Sequence, residues 1–301
     1  MRQGDLVCAK KIAVAECYND WPDGLSDSPV IGGWKSSRDF YVRIYAPKSE
    51  RHTAKVKEAG KYTGFAVNVR DDISVNADCT VIEGIIFNLM DNGSQIILGK
   101  WNGGGRYCVF RNNIALNGRY RHLFLGDYQA ASVYNNFFIN DTARSGDYGA
   151  IDCGPSNARF FHRIYSNSFW FAGDFKGMDG HGTHEHLEIV NNLCYKKSGR
   201  NPCFARFDSA YFYNNLSSDS SALGSSSQRN KTLEDIQFAS VPKDPDLRIL
   251  PGSCAADAGK DLSSLFTADI GGQERKGIWD IGAHELSVIR MQVTDDGKIQ
   301  Q

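Results

Sequence analysis

The sequence predicts an all-β solenoid, in which the chain winds into stacked coils of short strands. Three observations predict it. Related segments recur along the chain, each segment is a pair of short runs rich in Val, Ile, Tyr and Phe, and an Asn-Asn or Asn-Ser pair separates the two runs. A repeat of about 20 to 50 residues is typical of solenoids and propellers. Because each copy is made of strand-forming residues, the repeat is not a helical one.

The first residue of each polar pair marks the repeat. The marks are Asn112, Asn135, Asn167, Asn191 and Asn214, with Glu83 at the equivalent place in an earlier copy. Successive marks are 29, 23, 32, 24 and 23 residues apart. Asn tolerates the left-handed backbone conformation, so it can form a sharp corner between two strands. Stacked coils would bring these side chains to about 4.8 Å from one another, where their amides can form a hydrogen-bonded ladder.

This pattern resembles the right-handed parallel β-helix proteins over about residues 30–285. The resemblance implies a single-stranded right-handed parallel β-helix, and the alternative is a β-sandwich or propeller with coincidental Asn turns. We expect one domain, because a solenoid grows along one axis. Its predicted parts are N-terminal strands and a first coil (1–64), the β-helix coils (65–218), the last coils with a C-terminal cap (219–285) and a tail (286–301).

Composition limits the classes of partner. The chain has 41% hydrophobic and 23% charged residues with a net charge of −1, which fits a folded core and provides no field to attract nucleic acid or an anionic membrane. We therefore expect neither partner. The eight cysteines are scattered singly, and those in strand runs, such as Cys108 and Cys194, are predicted to be small buried side chains. No cofactor is predicted.

The start of the sequence bears on localisation. No basic segment followed by an apolar one opens it, and no run approaches membrane-spanning length. We expect a virion or extracellular location, reached on a particle or with an export signal removed earlier. A strand pattern begins almost at Met1, so the open end of the first coil is predicted to have a very short cap or to be covered by another subunit, for instance in a trimer.

Two segments carry a more specific resemblance. The first is Ala15-Glu-Cys-Tyr-Asn-Asp20 with Trp34, Arg43-Ile-Tyr-Ala-Pro47 and Glu50-Arg-His52, which is similar to the first coil of phage and metagenomic β-helix proteins. The second is Asp257-Ala-Gly259 followed by Asp280-Ile-Gly-Ala-His-Glu285, which resembles the ending of many bacterial and phage surface β-helix proteins. Asp257 and Asp280 are predicted to accept backbone N–H groups in the adjacent turns and to close the last coil.

Two further stretches are predicted to be loops. Residues 51–64 are basic and polar, which favours an exposed loop between coils. Residues 219–230 are rich in Ser and poor in apolar residues, which favours a loop lying over the surface of a sheet.

Candidate chemistry follows from the stacking, because residues one repeat apart form columns on one face. Residues 95–101, 122–128 and 149–154 read as equivalent strands, which brings Lys100, Asp127 and Asp152 near one another. The next coils add further polar residues to the same region. These are Asp179, His181, Arg206 and Asp208.

Three interpretations of this region stay open. Two carboxylates about 5 Å apart, Asp127 and Asp152, suit acid and nucleophile or base roles in glycosidic cleavage, with Trp101 and Tyr128 as sugar-stacking platforms. In a lyase, Lys100, His181 or Arg206 would neutralise a uronate and remove its proton. In a purely structural alternative, opposite charges pair between coils. A shift of one residue in register would also exchange inward and outward positions.

The segment Gly180-His181-Gly-Thr-His184-Glu-His186 contains three imidazoles that could ligate a transition metal, with His184 and His186 on one face of a strand. The spacing matches no zinc signature, so we predict a polar loop entering the strand at Leu187 and no metal site.

We therefore expect a β-helix surface or virion structural protein, of spike or decoration type, whose lateral face binds a glycan or a neighbouring subunit. The alternative is a polysaccharide lyase or glycoside hydrolase with its site on that face. Fold alone does not decide between them.

Overall fold

The computed structural model is nearly all β and describes residues 4–99, 107–126, 130–142, 147–155, 161–181, 184, 186–207, 211–241 and 244–287, with the backbone of 292–293 and 299–300. Two helices of one turn are present in these residues, α1 (Leu6–Ala9) and α2 (Leu233–Ile236). The strands up to the middle of the chain are β1 (Ala13–Glu16), β2 (Leu25–Ser26), β3 (Val30–Ile31), β4 (Val42–Tyr45), β5 (Lys57–Glu58), β6 (Lys61–Tyr62), β7 (Ala66–Asn68), β8 (Ile73–Val75), β9 (Cys79–Glu83), β10 (Ile86–Asn88), β11 (Ile96–Leu98), β12 (Tyr107–Arg111), β13 (Ile114–Leu116), β14 (Leu123–Leu125) and β15 (Ala131–Tyr134). The later strands are β16 (Phe137–Asn140), β17 (Gly149–Cys153), β18 (His162–Tyr165), β19 (Ser168–Phe171), β20 (Lys176–Gly180), β21 (Leu187–Val190), β22 (Leu193–Lys196), β23 (Phe204–Ala205), β24 (Tyr211–Tyr213), β25 (Leu216–Ser217), β26 (Phe238–Ser240), β27 (Asp246–Ile249), β28 (Gln292–Val293) and β29 (Ile299–Gln300).

Three parallel sheets run the length of the solenoid, and each coil except the last contributes one described strand to each sheet. Sheet 1 has the order β1-β4-β9-β12-β15-β18-β21-β24. Sheet 2 has the order β2-β7-β10-β13-β16-β19-β22-β25, and sheet 3 has the order β3-β8-β11-β14-β17-β20-β23. The chain passes from sheet 1 to sheet 2 to sheet 3 and then starts the next coil. The predicted right-handed parallel β-helix is therefore confirmed.

The core is the interior of the coils. Alternation within each strand sends every second side chain inward, where the aliphatic and aromatic side chains of the three sheets form one continuous buried cluster. Phe138 and Phe169, on successive coils of sheet 2, stack with ring centroids 4.9 Å apart. Cys108 and Cys194 are buried in this cluster, as predicted, and all eight cysteines are free thiols.

The corners between sheets 1 and 2 confirm the predicted backbone and correct the repeat marks. The first corner residue has a left-handed conformation at Asn112, Asn135, Asn191 and Asn214, with φ between 49° and 58°. At the corner between β18 and β19 this residue is Ser166 (φ 48°), and at the corner after β9 it is Gly84 (φ 77°). Asn167 and Glu83 are each one residue away from the predicted equivalence. The corner pair is Ser166-Asn167, so Asn167 is its second residue. Glu83 is the last residue of β9, opposite Arg111 in sheet 1, so the corner begins one residue later.

The ladder is formed by the second corner residue. Its members are Asn113, Asn136, Asn167, Asn192 and Asn215, all of which are buried. Each Oδ1 accepts the backbone N–H of the corner residue one coil earlier, at 2.9 to 3.1 Å. Each Nδ2 donates to a carbonyl of the preceding coil, at 2.7 to 3.1 Å. The first corner residue projects away from this line because neighbouring side chains point in opposite directions.

The N-terminal region differs from prediction in two ways. Residues 6–9 form a helical turn with Asp5 as its N-cap, and the strand starts only at Ala13. Residues 51–64 are not simply an exposed loop, because they form the β5–β6 hairpin and bury Ala54 and Tyr62 against sheet 2. At this end the interior opens into an apolar pocket of about 270 Å³.

Residues 219–230 continue the winding instead of lying over a sheet. Ser225 and Gln228 form parallel bridges to Tyr213 and Leu216, and Ala222 is buried in the interior cluster. This segment therefore covers the end of the last coil. The Ser side chains that suggested a loop form hydrogen bonds with neighbouring backbone. For example, the Ser221 hydroxyl accepts the N–H of Phe204 at 3.0 Å.

The C-terminal segment packs along the corners and over the outer face of sheet 2. Asp280 accepts the N–H groups of Asp257 (2.8 Å) and Leu286 (2.6 Å), which confirms its predicted role as an acceptor. The Asp257 side chain is exposed, and this residue contributes its backbone N–H, so the prediction for its carboxylate was wrong. The side chains of Asn135, Asn191 and Asn214 donate to carbonyls of this segment at 2.6 to 2.9 Å. The corner asparagines that face away from the ladder therefore anchor the C-terminal segment.

Candidate functional site

The candidate site lies on the outer face of sheet 3, where the register aligns one side chain from each coil. The column runs through Ser74, Ile97, Phe124, Asp152, Asp179 and Ala205. These residues face outward because their neighbours in each strand, such as Leu125 and Cys153, belong to the interior cluster. The two aspartates occupy adjacent coils, and both are 0% exposed.

Asp152 lies between the side chains of Arg121 and His181. Its Oδ2 is 3.0 Å from Nε of Arg121, and its Oδ1 is 2.8 Å from Nε2 of His181. Arg121 comes from the turn before β14, and His181 follows directly after β20. Burial raises the pKa of Asp152, and the charges of Arg121 and His181 oppose that shift. The side chain of Arg121 is 9% exposed, whereas that of His181 is 33% exposed.

Asp179 has an equivalent environment one coil later. Arg206 donates to both of its oxygens, from Nε to Oδ1 at 2.7 Å and from a terminal nitrogen to Oδ2 at 2.5 Å. Nζ of Lys176 lies 2.8 Å from Oδ2 and also donates to the carbonyl of Asp147 at 2.6 Å. The hydrogen bonds to Asp179 raise the pKa of Arg206. Arg206 follows β23 with a left-handed backbone (φ 57°), and its side chain is 53% exposed.

Arg121, Lys176, Arg206, His181 and Tyr148 together form a surface above two buried carboxylates. Arg121, Lys176 and Arg206 carry three positive charges against the two negative charges of the aspartates, so the cluster has a formal excess of one positive charge with His181 counted as neutral. The Arg121 guanidinium lies over the ring of Tyr148, 4.1 Å from its centroid, and the His181 ring centroid is 5.9 Å from that of Tyr148. Tyr148 is 36% exposed, so an aromatic surface borders the charged one.

The structure brings together four of the residues predicted from the sequence, namely Asp152, Asp179, His181 and Arg206. Lys100, Trp101, Asp127, Tyr128 and Asp208 lie outside the described residues, so their predicted roles stay predictions. The register pairs Asp152 with Phe124, three residues before Asp127, which differs from the equivalence read from the sequence.

Sequence reasoning missed Arg121, Lys176 and Tyr148. Arg121 and Tyr148 each lie in the turn leading into a sheet 3 strand, and Lys176 starts β20. The register places Arg121, Gly149 and Lys176 at equivalent positions, with Tyr148 one residue earlier. Because Gly149 interrupts the two basic residues, the sequence offers only a weak signal for this group.

The three imidazoles near residue 184 do not converge on a common point. His181 contacts Asp152, His184 is buried with its ring centroid 5.9 Å from that of Phe207, and His186 is exposed near Phe161. The prediction that His184 and His186 lie on one face of a strand was therefore wrong. The prediction that the strand begins at Leu187 is confirmed. In the part of the chain that the structure describes, no group of three or more His, Cys, Asp or Glu residues is arranged to hold a metal ion.

The fold and the site define a right-handed parallel β-solenoid with a charged cluster on one lateral face. No protein-family model matches the chain, and no curated protein is significantly similar to it. No helix among the described residues is long and apolar enough to cross a membrane.

Proposed function

We propose that this protein binds an acidic glycan on the outer face of sheet 3, at the cluster around Asp152 and Asp179. The observation that supports the proposal is the excess of positive charge over two buried carboxylates that cannot themselves meet a ligand. His181 and Arg206 are the partly exposed members of the cluster, and both are held in place by the aspartates beneath them. Arginine recognises carboxylates and sulfates through paired hydrogen bonds. The ring of Tyr148 offers a surface for a sugar ring beside these donors.

The test is binding of three polysaccharides by calorimetry, with polygalacturonate as the carboxylated probe, dextran sulfate as the sulfated probe and dextran as the neutral one. We expect binding of at least one acidic probe and none of dextran. Arg206→Gln should weaken that binding by about ten- to a hundredfold, the range expected when a charge-assisted hydrogen bond is lost.

The matched control is Arg248→Gln. Arg248 also makes a two-point ion pair, with Asp246 at 2.9 and 2.6 Å, but it lies on β27, away from sheet 3. Its replacement should leave binding unchanged. Equal binding of dextran, or an Arg206→Gln variant that is folded by circular dichroism and binds like the wild type, would refute the proposal.

A lyase acting on a uronate is the second candidate, favoured by the 2.8 Å contact between His181 and Asp152. In the elimination, the neutral His181 imidazole takes the proton next to the uronate carboxylate, the bond to the leaving sugar oxygen breaks with its electron pair going to that oxygen, and a carbon–carbon double bond forms. The leaving oxygen takes a proton from water. Arg206 neutralises the carboxylate, and Asp152 stabilises the imidazolium. Unsaturated products from polygalacturonate would be detected by their ultraviolet absorbance, and their loss in His181→Gln would support this reaction. If the wild type forms no such products, the lyase reaction is excluded and the binding proposal is unaffected.

Hydrolysis is less well supported by the described carboxylates. Asp152 and Asp179 are both buried beneath their cations, whereas glycosidic cleavage needs one carboxyl group that reaches the leaving oxygen and a second that acts on the sugar. The pair of Asp127 and Asp152 stays a prediction.

We also propose that the protein is a surface or structural component of a virion. The support is the resemblance of its first coil and its C-terminal ending to phage-borne β-helix proteins. Neighbouring capsid or tail genes would agree with this proposal, and neighbouring sugar-transport genes would contradict it. Light scattering tests the predicted trimer, since a monomer at all concentrations would exclude it.

A further inference from the structure

The outer face of sheet 1 is only partly covered. The C-terminal segment buries Tyr165 and Val190 against Leu262 and Trp279, in the later coils. In the earlier coils the same face forms a pocket of about 270 Å³. The side chains that line it and carry the argument are Arg38, Tyr41, Tyr107, Arg111 and Tyr134.

The walls of this pocket are fixed by mutual contacts. Arg111 donates to Oε2 of Glu83 at 2.8 and 3.1 Å and to the Tyr134 hydroxyl at 2.9 Å. Glu83 is only 12% exposed at its side chain, so this pairing holds the guanidinium of Arg111 at the surface. The hydroxyls of Tyr107 and Ser132 are 3.2 Å apart. A ligand would therefore meet ordered side chains, and little conformational entropy would be lost on binding.

Arg38 provides a positive charge that is not paired with Glu83. Its guanidinium lies over the ring of Tyr107, 4.9 Å from the centroid, and the residue is exposed. Among the described residues it makes no ion pair with a carboxylate. Arg43 also contacts Glu83, at 3.3 Å, so two arginines share this one carboxylate. Arg38 and Arg111 are the charged residues that line the pocket.

We propose that this pocket binds an acidic sugar residue of a polysaccharide that lies along sheet 1. Arg38 and Arg111 would contact the carboxylate or sulfate, and Tyr41 and Tyr107 would contact the sugar. The ring of Tyr134 stacks on that of Phe266, with centroids 4.6 Å apart, and borders the pocket. This site is separate from the cluster on sheet 3 and does not depend on it.

A second pocket extends the face in the direction of the solenoid axis. It measures about 260 Å³ and is lined by Phe161, Arg163, His186, Glu188 and Tyr211. The Arg163 guanidinium lies over the Phe161 ring, 4.2 Å from its centroid, which repeats the arginine–aromatic arrangement of Arg38 and Tyr107. From β12 to β21 is three strand spacings, or about 14 Å. A single extended polysaccharide can therefore contact both pockets.

The carboxylates on this face favour a glycan over a nucleic acid. Glu83 lies between Arg43 and Arg111, and Glu188 lies beside Arg163, so both would repel a backbone that carries a phosphate at every unit. An acidic polysaccharide can place its charged groups at the arginines and its neutral hydroxyl groups at the glutamates.

The test compares Arg38→Gln and Tyr107→Leu with a control, Arg119→Gln. Arg119 lies over the ring of Tyr120 at 5.5 Å, so the control removes an equivalent arginine–tyrosine contact away from sheet 1. The probes are polygalacturonate, dextran sulfate, dextran and single-stranded oligothymidylate, and binding is measured by calorimetry at constant salt. We expect each pocket variant to bind an acidic polysaccharide about tenfold more weakly, and Arg119→Gln to bind like the wild type.

Repeating the measurement in Arg206→Gln separates this site from the one on sheet 3. Loss of affinity on Arg38→Gln in both backgrounds supports the sheet 1 site even if Arg206→Gln alone has no effect. The inference is overturned if the folded pocket variants bind as tightly as the wild type, if no acidic polysaccharide binds, or if oligothymidylate binds more tightly than the polysaccharides.

Discussion

The asparagine ladder gives the sharpest prediction about stability, with Asn167→Ala as the perturbation. The Asn167 side chain accepts from the backbone N–H of Asn136 at 3.0 Å and donates to the carbonyl of Val133 and to Oδ1 of Asn192, both at 3.0 Å. Asn192 Oδ1 keeps a second donor in the backbone N–H of Asn167. Alanine therefore leaves one buried N–H and one buried carbonyl without these partners, at about 1 to 3 kcal/mol each. We expect a loss of about 4 kcal/mol.

The assay is equilibrium unfolding in urea followed by circular dichroism, and the matched control is Asn112→Gly. Asn112 occupies the left-handed corner position, with φ 53°, which glycine adopts without strain. The control should change the free energy of unfolding by less than about 1 kcal/mol. If Asn167→Ala and Asn112→Gly are equally stable, the ladder is not what holds successive coils together.

Two further predictions concern buried charge. Burial lowers the pKa of His162 from 6.5 to about 3, so the folded protein keeps this ring neutral while the unfolded chain binds a proton below about pH 6.5. Its contribution to stability is complete above that pH and is lost as the pH falls, by about 3 kcal/mol between about pH 7 and pH 4. His162→Leu should flatten the pH dependence of unfolding by that amount, and an unchanged slope would contradict the assignment. Arg275 is fully buried and contacts Glu285 (2.8 Å) and the Gly282 carbonyl (2.9 Å), so Arg275→Met should cost about 3 to 5 kcal/mol. Hydrogen exchange should then rise in residues 255–286, and unchanged protection there would show that the arginine does not anchor this segment.

The position of the ladder shows how closely a repeat can be read from the sequence. Each Asn-Asn corner has two residues that could form the ladder, and the prediction assigned it to the first. Asn is present at the second position in every corner from Asn113 to Asn215, whereas the first position is Ser166 in one of them. Burial does not separate the two positions, because Asn135, Ser166 and Asn191 are buried as well. The constant residue is the one whose side chain must satisfy the backbone of the neighbouring coil. Comparing the two positions across the corners would have identified it.

The sequence predicted only part of the candidate site. The stacking predicted that Asp152, Asp179, His181 and Arg206 meet on one face, because residues one coil apart are neighbours in any solenoid. The ionic partners of the aspartates were not predicted. Arg121 reaches the column from the turn before β14 and Lys176 from the start of β20, and the sequence alone does not fix where the preceding turns place such long side chains.

What the sequence by itself determined is the winding: strand-forming runs separated by corner residues at near-regular intervals, which fix the parallel sheets through local conformation and alternation. Only the tertiary structure decided where the C-terminal segment lies, which carboxylates are buried under cations, and which lateral faces stay uncovered. The physical reason is that the winding depends on rules repeated in every coil, whereas these features depend on single contacts between distant residues. Asn135 and Ala268 are one such pair, 133 residues apart in the sequence.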